Sequence, residues 1–176
     1  MLSDKMARVL VYLIKNGLES AYFYLAASVY AEAVELEGTA NWLKIQYQER
    51  FKDTLNIVDY IVKRGNTVLW RELDAPPSCF GSPAQLLAEI VEHEINMTAL
   101  YNMAYDKSLC ENDYRTQIFL QSLLQERTES EAQARRVFEK FEMAGNNPAA
   151  ILMADHAVHE MVEHEREEKK ETGENA

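Results

Sequence analysis

Apolar residues recur with helical spacing over four long stretches of this chain, and this periodicity restricts its fold more than any other feature. In the first stretch Leu10, Leu13, Ala21 and Tyr24 fall on one face, as an amphipathic α-helix requires. Three further stretches repeat the pattern, over about 37–64, 83–110 and 113–143. The 6 Gly and 4 Pro of the 176 residues fall mostly between these stretches. The sequence therefore predicts an all-α fold in which four long helices form a bundle.

Capping residues mark the ends of these helices. Ser3 is a candidate N-cap for a first helix from about Asp4 to Val34, because a side-chain oxygen there accepts a hydrogen bond from the first turn. Ser82 and Gln85 form a capping-box pattern before the third helix. The other signals are an N-cap for the fourth helix and two C-terminal glycines: Asp113, Gly65 and Gly145.

Residues 65–82 form the only long connection, and its length predicts the topology. A segment of this length extends to about 60 Å, whereas the helix before it is only about 40 Å long. The connection can therefore cross the whole bundle, which would make the second and third helices parallel. We expect Trp70, Leu73 and Phe80 to hold it against the bundle.

Beyond Gly145, Asn147 and Pro148 begin a fifth, shorter helix. The residues from Glu165 onward are mostly charged and predict a frayed tail. The expected organisation is one helical domain over residues 1–164, followed by a charged, disordered tail over 165–176.

Charge and cysteine content exclude several classes of function. A net charge of −11 argues against nucleic-acid binding, because a phosphate backbone is held by Lys and Arg. Cys79 and Cys110 have no metal-site or disulfide-framework spacing, which fits a reducing cytoplasm. No apolar stretch reaches the roughly 18 residues that a membrane helix requires, and the start lacks a signal-peptide pattern.

Four polar or small positions fall at one level of the otherwise apolar bundle: Gly17, Arg50, Glu94 and Arg127. Di-metal carboxylate bundles place a Glu from each of two helices and a Glu-x-x-His turn from each of the other two at such a level. The corresponding turns here read RFKD from Arg50 and RTES from Arg127. A guanidinium cannot ligate a cation, so the pattern predicts an ion-pair cluster where a metal site would stand.

Glu94 and Asp53 together would balance Arg50 and Arg127. Buried charge is tolerated when it is paired in this way, and guanidinium and carboxylate groups can make planar, bidentate contacts. We therefore expect a structural network, with residual metal binding near it as the alternative.

Further short motifs carry a resemblance to a known family. They are Tyr24, EGTANWL from Glu37, QE from Gln48, DY from Asp59, GN from Gly65, HE from His93, NDY from Asn112, FLQ from Phe119 and Glu126. Over about residues 5–158 the chain resembles non-haem bacterial ferritins. The resemblance implies a ferritin-like four-helix bundle with a long crossover between helices two and three and a short fifth helix. It also implies iron as the cargo and a homo-oligomeric cage of 24 subunits.

The resemblance also locates the ferroxidase ligands of the family. Their positions are Gly17, Arg50, Asp53, Glu94, Arg127 and Ser130. Only Glu94 keeps a ligand identity found in the family, so the resemblance implies that the di-iron centre is not intact. The helix-two position of the haem-ligating methionine in bacterioferritins is Lys52, so no haem is expected.

Glu49, Glu126 and Glu129 match the accessory iron site of these ferritins, and Ser130 stands where a fourth carboxylate is expected. Hard oxygen ligands of this kind suit Fe(III), Ca²⁺ or Mg²⁺. The alternative is a solvated acidic helix face.

The fifth helix presents His156, His159, Glu160 and His164 on one arc. Imidazoles and carboxylates one turn apart can chelate a divalent cation, and the resemblance would place this helix at a fourfold axis. The alternative is the polar outer face of an amphipathic helix.

Three functions remain open at this point. The favoured one is an iron-storage shell subunit without its own ferroxidase centre, acting alone or beside an active ferritin subunit. The second is a slow iron oxidase or peroxide scavenger that uses Glu49, Glu94, Glu126 and Glu129 near Tyr24. The third is a non-iron metal-binding scaffold with its metal on the fifth helix.

Overall fold

The structure, a computed structural model, describes residues 2–171 and contains five helices within that range. They are α1 (Asp4–Ala33), α2 (Glu37–Lys63), α3 (Pro83–Cys110), α4 (Tyr114–Ala144) and α5 (Pro148–Glu171). Three of the caps form as expected. Ser3 accepts from the Met6 amide at 3.1 Å, Ser82 and Gln85 form a reciprocal capping box, and Asp113 accepts from the Thr116 amide at 3.2 Å.

Contacts at the two ends of α1 establish the predicted topology. Tyr30, near the C-terminal end of α1, donates to the carbonyl of Gly81 just before α3. Ser3, before α1, donates to Glu111 just after α3 at 3.0 Å. Helices α1 and α3 are therefore antiparallel, and because α1 is also antiparallel to α2, helices α2 and α3 are parallel. The all-α four-helix bundle with its long crossover between helices two and three, followed by a fifth helix, is confirmed.

Phe80 of the crossover is buried, whereas Trp70 and Leu73 are 66% and 41% exposed. These two side chains lie beside apolar residues of α1 around a small surface cavity, on the outside of the bundle. Polar contacts to α1 also hold the crossover. Lys15 contacts Asp74 at 3.1 Å, and Glu19 accepts from the Asp74 amide at 2.8 Å.

The apolar core is divided into two clusters. One contains the N-terminal half of α1 with Ile57, Ile61, Met97 and Leu120, and the other contains Trp42, Phe141 and the buried face of α5. The residues between them along the bundle axis are polar or charged. This division creates a buried layer across the middle of the molecule.

Helix α5 packs on α2 and α4 and is held to α2 by a carboxylate. Asp155 accepts hydrogen bonds from the amides of Gly38 and Thr39 at 2.9 and 2.7 Å, and from the Thr39 hydroxyl at 2.6 Å. Leu36, the N-cap residue of α2, provides no side-chain cap. Asp155 therefore satisfies free amides at the α2 N-terminus that a local cap would normally bind.

The fifth helix is longer than the sequence suggested. It continues to Glu171, past the boundary at 164 where the tail was expected to begin. Residues 172–176 of that predicted tail lie outside the described part of the chain, and the division into one domain and a tail stays a prediction. Within residues 2–171, no helix is both long and apolar enough to cross a membrane.

Candidate functional site: the buried charged layer

Four charged side chains meet between the two core clusters, as the sequence predicted. Arg50 comes from α2, Glu94 from α3 and Arg127 from α4, and these three side chains are only 0–2% exposed. Asp53, one turn after Arg50, is 14% exposed at the edge of the layer. We call these four residues the charged layer.

The ion pairs in this layer differ greatly in length. Arg127 Nη2 donates to Asp53 at 2.5 Å, which is a strong charge-assisted hydrogen bond. Arg50 lies 3.5 Å from Glu94 and 3.6 Å from Asp53, while Arg127 lies 3.9 Å from Glu94. The predicted bidentate pairs are therefore not formed, because each guanidinium is shared between two carboxylates on different helices.

Polar side chains outside the four complete some of the missing bonds. Tyr24 donates to Glu94 at 2.5 Å, and Arg50 Nη2 donates to Gln46 at 2.9 Å. The rings of Tyr24 and Tyr101 lie 5.8 and 5.7 Å from the guanidinium carbons of Arg50 and Arg127, within cation–π range.

Three atoms of the layer nevertheless remain without a hydrogen-bond partner. They are Nε of Arg50, Nε of Arg127 and Oε2 of Glu94, and they are the only buried side-chain N and O atoms in this state in residues 2–171. Such atoms are costly in a core. The layer is therefore balanced in charge but incompletely hydrogen-bonded.

Gly17 faces the layer from α1, and its missing side chain is explained by Thr54. A Cβ at position 17 would lie 2.3 Å from Thr54 Oγ1. That hydroxyl donates to the carbonyl of Arg50 at 2.8 Å and is fully enclosed. Thr54 thus fills the volume into which a longer residue at position 17 would extend.

His93 lies beside the layer and is packed as a neutral ring. It stacks on Phe23 with ring centroids 4.5 Å apart, and its Nε2 is 2.7 Å from the Ser20 hydroxyl. Burial, together with the positive charge of Arg50, lowers the pKa of His93 to about 4. At neutral pH it therefore adds no charge to the layer.

The outer edge of the layer meets the acidic face. Burial and the carboxylate of Glu126 raise the pKa of Asp53 to about 7, although the charge of Arg50 opposes them. Burial also raises the pKa of Glu126, and Glu129 and Glu49 add to this effect. These carboxylates are close enough to compete for protons and, by the same electrostatics, for cations.

The predicted accessory ligands lie on this face without forming a metal cage as placed. Glu126 and Glu129 are exposed, and Glu49 accepts from Gln46 at 3.3 Å. Ser130 donates to the carbonyl of Glu126 in its own helix at 2.8 Å. Within residues 2–171, no three Asp, Glu, His or Cys side chains are arranged to hold a metal ion. Glu94 is separated from this face because it is buried among Tyr24 and both arginines.

The fifth-helix candidates lie away from the layer on the outer side of α5. His156 is 3.5 Å from Glu160, and its ring centroid is 6.4 Å from that of His159. His164 is 3.4 Å from Glu168, a residue that the sequence reasoning did not select. Both His–Glu pairs are strongly exposed.

The sequence reasoning missed the polar residues that join the layer to α5. Gln46 and Gln133 contact each other at 3.2 Å, and Gln133 donates to Glu165 at 2.7 Å. The spacing of Gln46 and Arg50, one turn apart on the buried face of α2, was the available signal.

Comparison with known proteins agrees with this architecture. Residues 8–144 match the model of the ferritin family, described as a ferritin-like domain. A bacterial non-heme ferritin of Bacteroides fragilis (strain 638R) is 32% identical over 155 residues, which cover 88% of this chain and 96% of that protein. A probable bacterial non-heme ferritin-like protein of Haemophilus influenzae is 24% identical, with 88% and 94% covered.

Solved structures give the same result. An open pore ferritin from Archaeoglobus fulgidus superposes with a TM-score of 0.87 at 31% identity, covering 90% of this chain and 98% of the other. A closed form of the A. fulgidus ferritin, engineered by site-directed mutagenesis, gives the same score and identity, with 90% and 97% covered. The chain therefore belongs to the ferritin-like family. Within that fold, this chain carries the charged layer with its two buried arginines.

Proposed function

We propose that this chain is an iron-storage shell subunit that lacks an intact di-iron ferroxidase centre. The charged layer carries this proposal, because Arg50 and Arg127 stand at the level where the resemblance places iron ligands. A guanidinium stays protonated and offers only hydrogen-bond donors, so it cannot replace a carboxylate or an imidazole as a ligand. Two fixed cations in the layer would also repel iron ions.

In this proposal iron is cargo and binds to the carboxylates at the edge of the layer. Glu49, Glu126 and Glu129 offer hard oxygen ligands suited to iron. The raised pKa of Glu126 supports this assignment, since neighbouring carboxylates contribute to it and a bound cation would relieve their repulsion. These side chains would have to rotate toward one another to share an ion.

Iron retention tests the proposal. Apoprotein is incubated with Fe(II) in air and passed through a desalting column, and the iron that remains bound is counted. We expect retained iron, and we expect the triple variant Glu49→Gln, Glu126→Gln, Glu129→Gln to lose most of it. The matched control replaces three exposed glutamates elsewhere, Glu72→Gln, Glu89→Gln and Glu142→Gln, with the same change in charge. Equal loss in both triples would contradict a specific site.

We further propose that the chain forms a homo-oligomeric cage of 24 subunits in the cytoplasm, with no resident haem. Large exposed apolar side chains support assembly: Ile118, Met143, Leu152 and Met153 are 61–81% exposed in the single chain. The open pore and closed ferritins among the structural neighbours are in keeping with a shell. Native mass spectrometry would give the number of 20.2 kDa chains per particle.

If an active ferritin subunit shares the shell, that subunit would oxidise the Fe(II) that this chain then stores. Co-expression with a ferritin that has intact ligands, followed by native mass spectrometry, tests this arrangement. Mixed particles are the expected result. Strict separation into two homo-oligomers would exclude it.

A second candidate function, a non-iron metal scaffold, is favoured by the contact between His156 and Glu160. An imidazole and a carboxylate 3.5 Å apart on one helix can bind Zn²⁺ or Cu²⁺ together. Zinc binding measured by calorimetry on wild type and on His156→Ala tests this. Zinc uptake that is lost in this variant, together with no retained iron, would favour the scaffold over storage.

A further inference from the structure

An unbroken series of side-chain hydrogen bonds connects the charged layer to the fifth helix. Arg50 Nη2 donates to Gln46 at 2.9 Å, Gln46 Nε2 donates to Gln133 at 3.2 Å, and Gln133 Nε2 donates to Glu165 at 2.7 Å. The series begins on α2, passes through α4 and ends on α5. Trp42 donates to the same oxygen of Gln133 at 3.1 Å, so this oxygen accepts two hydrogen bonds. We call Gln46 and Gln133 the glutamine relay.

Along the series itself the hydrogen bonds run in one direction. Gln46 Oε1 accepts from Arg50, and its Nε2 donates to Gln133, whose own Nε2 donates to Glu165. Two further bonds leave the series, from Gln46 to Glu49 and from Trp42 to Gln133. The two amide dipoles of the series lie between a buried cation and a carboxylate. Aligned hydrogen bonds of this kind polarise and strengthen one another in a region of low dielectric constant.

The relay attaches α5 near its C-terminal end, and a second polar attachment lies nearer its N-terminus. Ten residues earlier in α5, Asp155 binds the N-terminus of α2, where Gly38 allows a close approach because a Cβ there would lie 2.3 Å from the Asp155 carbonyl. Between the two attachments Val158 and Val162 are buried. Helix α5 is thus fixed along α2 and α4 at two levels, and only the level of Glu165 leads to the charged layer.

We propose that α5 is a docked lid on the α2–α4 face of the bundle, and that the glutamine relay makes its docking depend on the charged layer. A change in the layer that withdraws the Arg50 bond from Gln46 loosens the second attachment of α5 while Asp155 keeps the first. Coupling of this kind needs an element with two states, and the docked and locally opened forms of α5 provide them.

Hydrogen exchange of the α5 amides tests the coupling. Gln46→Met removes the amide that accepts from Arg50 and has no hydrogen bond of its own to α5. Gln133→Met removes the amide that donates to Glu165. We expect either change to raise the exchange of amides 158–165 by about fivefold, as the loss of one hydrogen bond would. The double variant should show little further increase, because either substitution already breaks the series. Gln48→Met, on the exposed side of α2, is the matched control and should leave α5 unchanged.

Exchange of α3 amides in the same samples separates local opening of α5 from global destabilisation. If Gln46→Met does not fold, Gln46→Glu provides the same test, since its carboxylate still accepts from Arg50 but cannot donate to Gln133. The proposal is overturned if α5 exchanges in the Gln46 variant as it does in Gln48→Met. It is also overturned if the two single effects simply multiply in the double variant.

Discussion

The molecule contains two clusters of arginine and carboxylate, and they are built in different ways. At one end of the bundle, Arg64 donates from both Nη atoms to the two oxygens of Asp113, each at 3.1 Å. Tyr60 and Thr116 complete its bonds, and Asp113 also caps α4. The charged layer has shared, uneven ion pairs and three unpartnered buried atoms.

The difference shows what each cluster achieves. The Arg64 cluster is satisfied by a bidentate pair close to solvent, which is the arrangement expected of an ion pair that stabilises a helix junction. The charged layer combines burial of Arg50, Glu94 and Arg127 with incomplete hydrogen bonding, so its net contribution to stability is small or negative. In the proposed function its effect is chemical, because it would place two cations where the family resemblance expects metal ligands.

The largest predicted effect comes from breaking the layer on one side. Arg127→Ala leaves Asp53 without its strongest partner and Glu94 with one arginine, and it should destabilise the fold by about 3–5 kcal/mol. Arg64→Ala removes a partly exposed, hydrogen-bonded charge and should cost about 2 kcal/mol. Urea unfolding measures both. A cost below about 1 kcal/mol for Arg127→Ala would show that its charge is solvated.

Acid should affect the two clusters in different pH ranges. His93 has a pKa of about 4 in the fold, against about 6.5 in an unfolded chain. At His93 the unfolded state therefore binds more protons between these values, and the contribution of His93 to stability falls by roughly 2–3 kcal/mol as the pH drops from about 6.5 to 4. Asp53 acts in the opposite direction, because burial raises its pKa to about 7 in the fold and the folded state then binds the extra proton. Asp113 has a lowered pKa, chiefly through hydrogen bonds from Arg64 and Thr116 that outweigh its burial, so its contribution is lost only below about pH 4.

Urea unfolding at pH 7 and at pH 4.5 checks this separation. His93→Gln should make the change in stability from pH 7 to pH 4.5 more favourable than in the wild type by roughly 2–3 kcal/mol, while Asp113→Asn should leave that change as it is in the wild type. The opposite result would place the acid-sensitive group at the Arg64 end.

Gly17 allows a smaller test of how tightly the layer is packed. Gly17→Ala brings a Cβ against Thr54 and should destabilise by about 1–2 kcal/mol, since overpacking outweighs the better helix propensity of Ala. In a Thr54→Ala background the same change should be neutral or slightly stabilising. Thermal unfolding of the four proteins gives both values, and destabilisation of equal size in both backgrounds would show that Thr54 is not the obstacle.

The smallest expected change follows from replacing the whole layer. A variant with Arg50→Met, Asp53→Leu, Glu94→Met and Arg127→Met removes every charge at once and should be as stable as the wild type or slightly more stable. Replacing Arg64 and Asp113 together should instead lower stability, because Asp113 also caps α4. Urea unfolding of both variants distinguishes an energetically dispensable layer from a stabilising one.

The sequence was sufficient for the parts of the fold that depend on local signals. Ser3, Ser82 and Asp113 marked three helix starts correctly because capping acts within one turn. The level shared by Arg50, Glu94 and Arg127 followed from helical periodicity and the resemblance. The lengths of the ion pairs inside the layer could not be predicted from the sequence, because they depend on how three helices are rotated against one another.

The contacts of α5 could not be predicted from the sequence for a related reason. Gln133 and Glu165 are 32 positions apart, and their hydrogen bond depends on the register of α5 against α4. Asp155 is next to the apolar arc of α5, and no periodicity indicated that it would bind the α2 N-terminus. The 66% exposure of Trp70 could not be predicted, because a large apolar residue outside a periodic segment carries little information about burial.

Stopped-flow oxidation of Fe(II) by O₂ tests the central claim, that the charged layer takes the place of a ferroxidase centre. The purified apoprotein, at two Fe(II) per subunit, is compared with a buffer blank and with a bacterial ferritin that has intact ligands. The account predicts a rate at the level of the blank. Rapid, stoichiometric oxidation that disappears in the Glu49→Gln, Glu126→Gln, Glu129→Gln variant would contradict it and would show that these carboxylates form a working oxidase site.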